Sequence, residues 1–246
     1  MNILLTIRYD GTNFSGWQIQ SGKRTVQGDI EKALKNLFNE EISIRGASRT
    51  DAGVHAMCQI ALFKYDCKIP LEKLPFAINS FLNRDIVIIN AKEVSEEFHP
   101  QYSVYKKMYH YKIYNDSFNN PINREYTEFV HTPLNIEKMQ EACQYFIGEY
   151  DFKAFCASGA MSKTTVREIY NLSVEKNDEN IITIKVTGNG FLYNMVRIIA
   201  GTLIEIGLLK YEPSYVKEII NSKNRKNAGR TANAKGLTLA KIYYNN

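Results

Sequence analysis

The residues able to do chemistry are few and far apart. Gly46-Ala47-Ser48-Arg49-Thr50-Asp51-Ala52-Gly53-Val54-His55-Ala56 crowds small residues around one arginine and one carboxylate, between two apolar runs. Ala52 and Gly53 leave backbone uncovered, so a large planar ligand can approach closely, and Gly53 can take the positive φ of a tight turn. Taken alone, Arg-Thr-Asp-Ala-Gly reads as an ordinary surface turn, since Asp and Gly are the usual turn formers. A second cation, Arg197, shares a helix face with Gly190, Asn194 and Gly201, while Leu192, Val196, Ile199, Leu203 and Ile206 mark the core stripe. An arginine on an otherwise apolar, tightly packed helix wants a carboxylate, and any nearby acid would satisfy it structurally. Tyr109 alternates with Tyr111 and Ile113 along a strand, and by pattern alone is a core tyrosine.

These groups must be positioned by elements that the pattern predicts. Ile3, Leu5 and Ile7 mark one face of a first strand ending at Asp10-Gly11. Thr25 is placed to cap a helix over 26–38, followed by a short strand at Ile42-Ser43-Ile44, the Asp51 loop, and a strand from Met57 to Phe63. A helix around Leu74 to Leu82 and a strand from Ile86 to Ile89 complete a β-α-β-β-α-β order, the ferredoxin-like pattern. From Ser103 the order begins again: a tyrosine-rich strand, a helix capped by Asn135 and stopped by Gly148, and strands Val166 to Val174 and Ile181 to Val186 about Asn177-Asp178-Glu179-Asn180. Phe191 to Leu209 then reads as a helix, Pro213 to Asn221 as a short one, and Leu237 to Tyr244 as the last strand. The expected fold is α+β: two tandem ferredoxin-like halves, 1–102 and 103–246, with antiparallel sheets side by side and a central active-site cleft.

Between the first strand and first helix, Phe14, Trp17, Gln18, Lys23 and Arg24 interleave aromatic, amide and basic groups, a mixture suited to RNA contact. The competing reading folds Phe14 and Trp17 into the core. Net charge is +5, and residues 106–246 carry all of it, because 1–105 hold 12 basic and 12 acidic residues. That placement fits a polyanionic partner or a solvated basic face. Cys58, Cys67, Cys143 and Cys156 form no Cys-x-x-Cys pair and do not cluster with the four histidines, which points to reduced thiols in the cytoplasm and away from zinc. The start has no basic leader, and the longest apolar stretch is broken by Asn194, Arg197 and Glu205, so neither export nor a membrane span is expected.

Four segments, in order, carry a resemblance: Arg8-Tyr9-Asp10-Gly11-Thr12-Asn13-Phe14-Ser15-Gly16-Trp17-Gln18; Arg49-Thr50-Asp51-Ala52-Gly53-Val54-His55-Ala56; Tyr109-His110-Tyr111; and Asn194-Met195-Val196-Arg197 followed by Gly201. Running on to Gly236-Leu237, the series resembles the TruA family of tRNA pseudouridine synthases. The resemblance implies isomerisation of uridine to pseudouridine in the anticodon stem-loop of tRNA, without cofactor or metal, by a homodimer that lays one tRNA across both subunits. It implies that Asp51 is the nucleophile, that Arg197 and Arg49 belong to the catalytic site, and that Tyr109 contacts the base. Arg49 would enter the vacancy left by the flipped nucleotide or guide it, and the arginines would keep Asp51 ionised against the effect of burial. His55 is expected to pack or hydrogen-bond structurally. Four positions depart from the family's usual residues: Ser48 for glycine, Cys58 and Leu62 for glycine and histidine, and Asn233 for proline. Two other readings of the same residues are an RNA-binding module without activity and a small-molecule hydrolase using Asp51.

Overall fold

The computed structural model describes residues 1–66, 68–159 and 162–244; Cys67 therefore lies outside the described residues. In chain order the elements are β1 (Asn2–Tyr9), α1 (Val26–Phe38), β2 (Arg45–Gly46), β3 (His55–Lys64), α2 (Leu74–Asn79), β4 (Ile86–Val94) and β5 (Val104–Asn115). They continue as β6 (Glu128–Val130), α3 (Ile136–Cys143), β7 (Gly148–Asp151), β8 (Val166–Lys176), β9 (Ile181–Gly188), α4 (Met195–Gly207), α5 (Tyr215–Ser222) and β10 (Leu237–Tyr244). The fold is α+β and divides into two units, one of Met1–Tyr105 with the residues from Thr238 on, the other of Lys106–Leu237. The first unit is thus discontinuous in sequence. The final strand, placed by element order in the second half, groups with the first unit, where Thr238 and Leu239 pair in parallel with His55 and Ala56. A period of two announces a strand but not its partner.

In the first unit β1 lies between β3 and β4, antiparallel to both, with Leu5 opposite Ala61 on one side and Ala91 on the other. Ile3, Leu5 and Ile7 are fully buried, as their alternation predicts. Thr25 caps α1 by accepting from the Gly28 N–H at 3.3 Å, and Val26, Ile30, Ala33 and Leu34 form its buried stripe. The strand expected at Ile42 to Ile44 is instead the two residues of β2, one step later, opposite Leu62 and Ala61. The reason is visible in α1. Glu31 accepts the Ile44 N–H at 2.9 Å and the Gln27 amide donates to the Ile44 carbonyl at 3.2 Å, so helix side chains take the backbone groups a ladder would need.

In the second unit the strands run β5-β9-β8-β7, with the short β6 parallel to β5. Tyr111, Ile113, Ile182, Ile184 and Val186 are buried on its sheet. Asn135 caps α3 by accepting from the Lys138 N–H at 2.8 Å. Gly148 does not stop that helix: α3 ends at Cys143, a 3-10 turn follows over Gln144–Phe146, and Gly148 opens β7 at φ +122°. The helix expected from Phe191 begins at Met195, because Asn194 takes the left-handed conformation at φ 60° and breaks the run. Gly190 and Leu192 are therefore not on α4, and Arg197 lies in its first turn. No helix among the described residues is long and apolar enough to cross a membrane. Cys58, Cys143 and Cys156 are free thiols.

Candidate active site

Asp51 lies on the connection from β2 to β3, and the segment before α1 braces it. The Trp17 N–H donates to the Thr50 carbonyl at 3.0 Å, and the Gly53 N–H to the Phe14 carbonyl at 3.3 Å. Inside the loop, the Val54 N–H closes a turn on the Asp51 carbonyl at 3.2 Å, with Gly53 at φ +77° as the turn demands. Gly16 is held at φ +94°, and a Cβ there would stand 2.7 Å from the Thr50 oxygen, so only glycine lets the two segments meet. Ser48 and Thr50 turn inward: Gln59 donates to the Ser48 carbonyl at 2.8 Å, and the hydroxyls of Thr50 and Tyr9 are 2.7 Å apart. The alternate residues turn outward, leaving Arg49 exposed and Asp51 half-buried. His55 is buried behind them, with its Nδ1 3.0 Å from the Gly11 backbone nitrogen and 3.2 Å from Asp10 Oδ1.

This bracing corrects the expected RNA-contact set. Phe14 and Trp17 are 3% and 1% exposed, so both rings belong to the core. Trp17 covers Gly46, where a Cβ would lie 2.5 Å from the indole. Arg24 gives two hydrogen bonds to Asp85, at 2.7 and 2.9 Å, and one to Asp29 at 2.9 Å, while its guanidinium sits 4.2 Å above the Phe14 ring. Phe14 and Trp17 are thus frame, Arg24 is tied to Asp85 and Asp29 with its side chain still 35% exposed, and Gln18 and Lys23 remain exposed. A local mixture of aromatic and basic residues cannot reveal a carboxylate 61 residues away.

In the second unit, β5 carries Tyr109 opposite Val186 of β9. Its ring is buried and meets Phe191 edge to face, centroids 5.3 Å apart at 87°. Lys107 precedes it by two on the same strand face, and burial pushes its ammonium down to about 8. On α4, the Arg197 Nε donates to the Ala232 carbonyl and Nη1 to the Asn194 Oδ1, each at 2.8 Å. The Ala232 N–H returns a bond to the Arg197 carbonyl at 3.1 Å. Gly201 makes that approach possible, since a Cβ there would come within 1.9 Å of the Arg230 carbonyl oxygen. The glycine expected to admit another segment does so, and the segment is the one leading to β10.

Sequence reasoning passed over Glu128, and quoted Gly16 and Gly46 without giving either a role of its own. The two glycines carry no local signal, because what excludes a side chain is a residue distant in the chain. Glu128 is a buried carboxylate, 7% exposed, in a strand of three residues too short to show a period. The departure at Asn233 has a counterpart here: its N–H donates to Glu128 at 3.1 Å, which proline could not do. Among the described residues no group of three or more His, Cys, Asp and Glu could hold a metal ion.

A sequence profile described as tRNA pseudouridine synthase matches residues 5–103 and 142–245, most of the chain. The chain belongs to that family. Its members isomerise uridine to pseudouridine in tRNA. Among relatives, the tRNA pseudouridine synthase A of Ruminiclostridium cellulolyticum is 52% identical over 242 residues, covering 98% of this chain and 99% of that one. The protein of the same name from Thermoanaerobacter sp. is 50% identical over 243 residues, 99% of each chain. A tRNA pseudouridine synthase A 2 of Clostridium tetani is 48% identical over 246 residues, again 99% of each. Among solved structures, a chain of a Cbf5-Nop10-Gar1 complex is similar at 12% identity and a TM-score of 0.40, over 96% of this chain and 57% of that one.

Proposed function

We propose that the chain performs its family's isomerisation on uridines of the tRNA anticodon stem-loop, with Asp51 as the reacting carboxylate. The observation that supports this most is the construction of the Asp51 loop. Its neighbours Ser48 and Thr50 are tied inward, its ends are bonded to the segment before α1, and Asp51 itself is presented from a preorganised frame. An ordinary surface turn has no need of such bracing.

The reaction breaks the C1′–N1 bond, turns the uracil, and joins C1′ to C5. The proton at C5 is lost and N1 gains one, so nothing is added, oxidised or hydrolysed. An ionised Asp51 serves each of three routes: attack at ribose C1′, attack at uracil C6, or proton abstraction toward a glycal. The Tyr109 ring offers a face on which a flipped uracil can stack, and its phenol a group to move the C5 proton. Arg197 supplies the cation that favours an anionic carboxylate, and exposed Arg49 guides the flipped nucleotide. Gln18 and Lys23 are left as exposed RNA contacts. The protein works as a cytoplasmic homodimer; the free thiols support a reducing compartment, and pairing would enlarge the basic track. Sedimentation at micromolar concentration should give twice the 28.3 kDa of one chain, and a monomer would refute that part.

The decisive measurement maps pseudouridine in unmodified tRNA transcripts after incubation with the protein or with Asp51→Ala. Product is expected only from the unaltered chain, with tRNA affinity retained in the variant. Absence of product from the unaltered chain on every cognate transcript would sink the assignment.

A further inference from the structure

Arg197 is held by main chain, and that main chain is held in turn. Residues 229–233 run along α4, where the Gly229 N–H donates to the Thr202 hydroxyl at 3.0 Å and Ala232 bonds Arg197 in both directions. At its far end this strap meets Glu128, brought there by the parallel pairing of β6 with β5. One Glu128 oxygen accepts from the Arg230 guanidinium; the other accepts from the Tyr111 hydroxyl and from the Asn233 N–H, the latter at 3.1 Å. The Tyr111 hydroxyl also lies 2.8 Å from the Asn233 carbonyl oxygen, so its proton is shared between two acceptors of one clamp.

A buried carboxylate is costly unless it is paired and hydrogen-bonded, and here three donors from two separate parts of the chain converge on one. Two of those three donors belong to the strap. Arg225 also holds the strap, donating to the Gly229 carbonyl at 2.9 Å and to the Thr231 hydroxyl at 3.0 Å, while Glu128 takes Arg230 and Asn233.

We propose that Glu128 is a positioning residue for Arg197: by clamping Arg230 and Asn233 it fixes the Ala232 carbonyl, and with it the direction of the Arg197 guanidinium. This rests on the reading of Arg197 as a member of the catalytic site. Glu128 touches no reacting atom, and acts only through the strap. Its loss leaves RNA binding intact and lets Arg197 turn away from its working direction.

The test is single-turnover pseudouridine formation, in which the amplitude reports the fraction of competent molecules and the rate constant reports how well each one works. Glu128→Gln keeps the volume and removes the charge. It is expected to slow the rate constant about tenfold or more, with amplitude and tRNA affinity held within about twofold. In an Arg197→Lys background the same change should add no more than about a twofold effect, because the group being aimed is already altered. A purely structural role would lower the amplitude and the melting temperature, with the rate constant unmoved, and would overturn the proposal. So would equal, multiplying effects in both backgrounds. If Arg197→Lys alone leaves the rate unchanged, the fault lies in the reading of Arg197 instead. Arg230→Met and Asn233→Pro, which remove one donor each, repeat the test should Glu128→Gln fail to fold. Asn233 is already at φ −63°, which proline accepts.

Discussion

Gly46 and Trp17 show how a single residue can matter to a loop it does not belong to. A methyl group at Gly46 would stand 2.5 Å from the indole, and the backbone N–H of that tryptophan holds the Thr50 carbonyl beside Asp51. Gly46→Ala should therefore cost about 1–3 kcal/mol by overpacking, and should slow isomerisation beyond what the loss of folded protein explains. Chemical denaturation with single-turnover kinetics checks both, and an active, equally stable variant would show that Trp17 does not brace the site. Lys107 gives a pH dependence. Burial lowers its ammonium from 10.5 to about 8, so between those values the unfolded chain binds more protons than the folded one. Stability then rises with pH across that window, and below it this group adds no pH dependence. Lys107→Met should lack the rise; urea midpoints along a pH series that stay parallel for the two proteins would refute it.

At the scale of elements, α4 and the strap beside it form one device. Gly201 is required because the Arg230 carbonyl passes over it, and Gly229 because its own Cβ would come within 2.6 Å of Thr202. Gly201→Ala must lift the strap from the helix. We expect a loss of about 1–3 kcal/mol and, since the Ala232 carbonyl moves with the strap, a slower reaction at unchanged tRNA affinity. Equal stability and rate would mean that the strap yields without moving Arg197. α1 and the segment before β2 are joined on the same principle, by Glu31 and Gln27 on the Ile44 backbone. In both places a helix does more than bury its apolar stripe: it fixes an irregular segment that leads to a site residue.

For the whole molecule, the placement of charge sets how tRNA is held. The +5 falls entirely within residues 106–246, so binding should be dominated by phosphate contacts and counterion release. Raising salt from about 50 to about 200 mM should weaken tRNA binding by about tenfold or more. An affinity flat in salt, measured by filter binding, would contradict this. The sequence by itself determined what depends on short windows: the α1 boundaries, the caps at Thr25 and Asn135, the buried alternation of β1, and the segments that mark the family. Periodicity and capping are local physics, so a dozen residues suffice to express them. Only the tertiary structure decided that Phe14 and Trp17 frame the Asp51 loop, that Arg24 is tied to Asp85, that β10 joins the first unit, and that Glu128 anchors the strap behind Arg197. Each depends on partners far along the chain, 61 residues apart for Arg24 and Asp85 and 102 for Arg230 and Glu128. No local pattern carries the identity of a partner at that distance, because it is chosen when the whole chain packs.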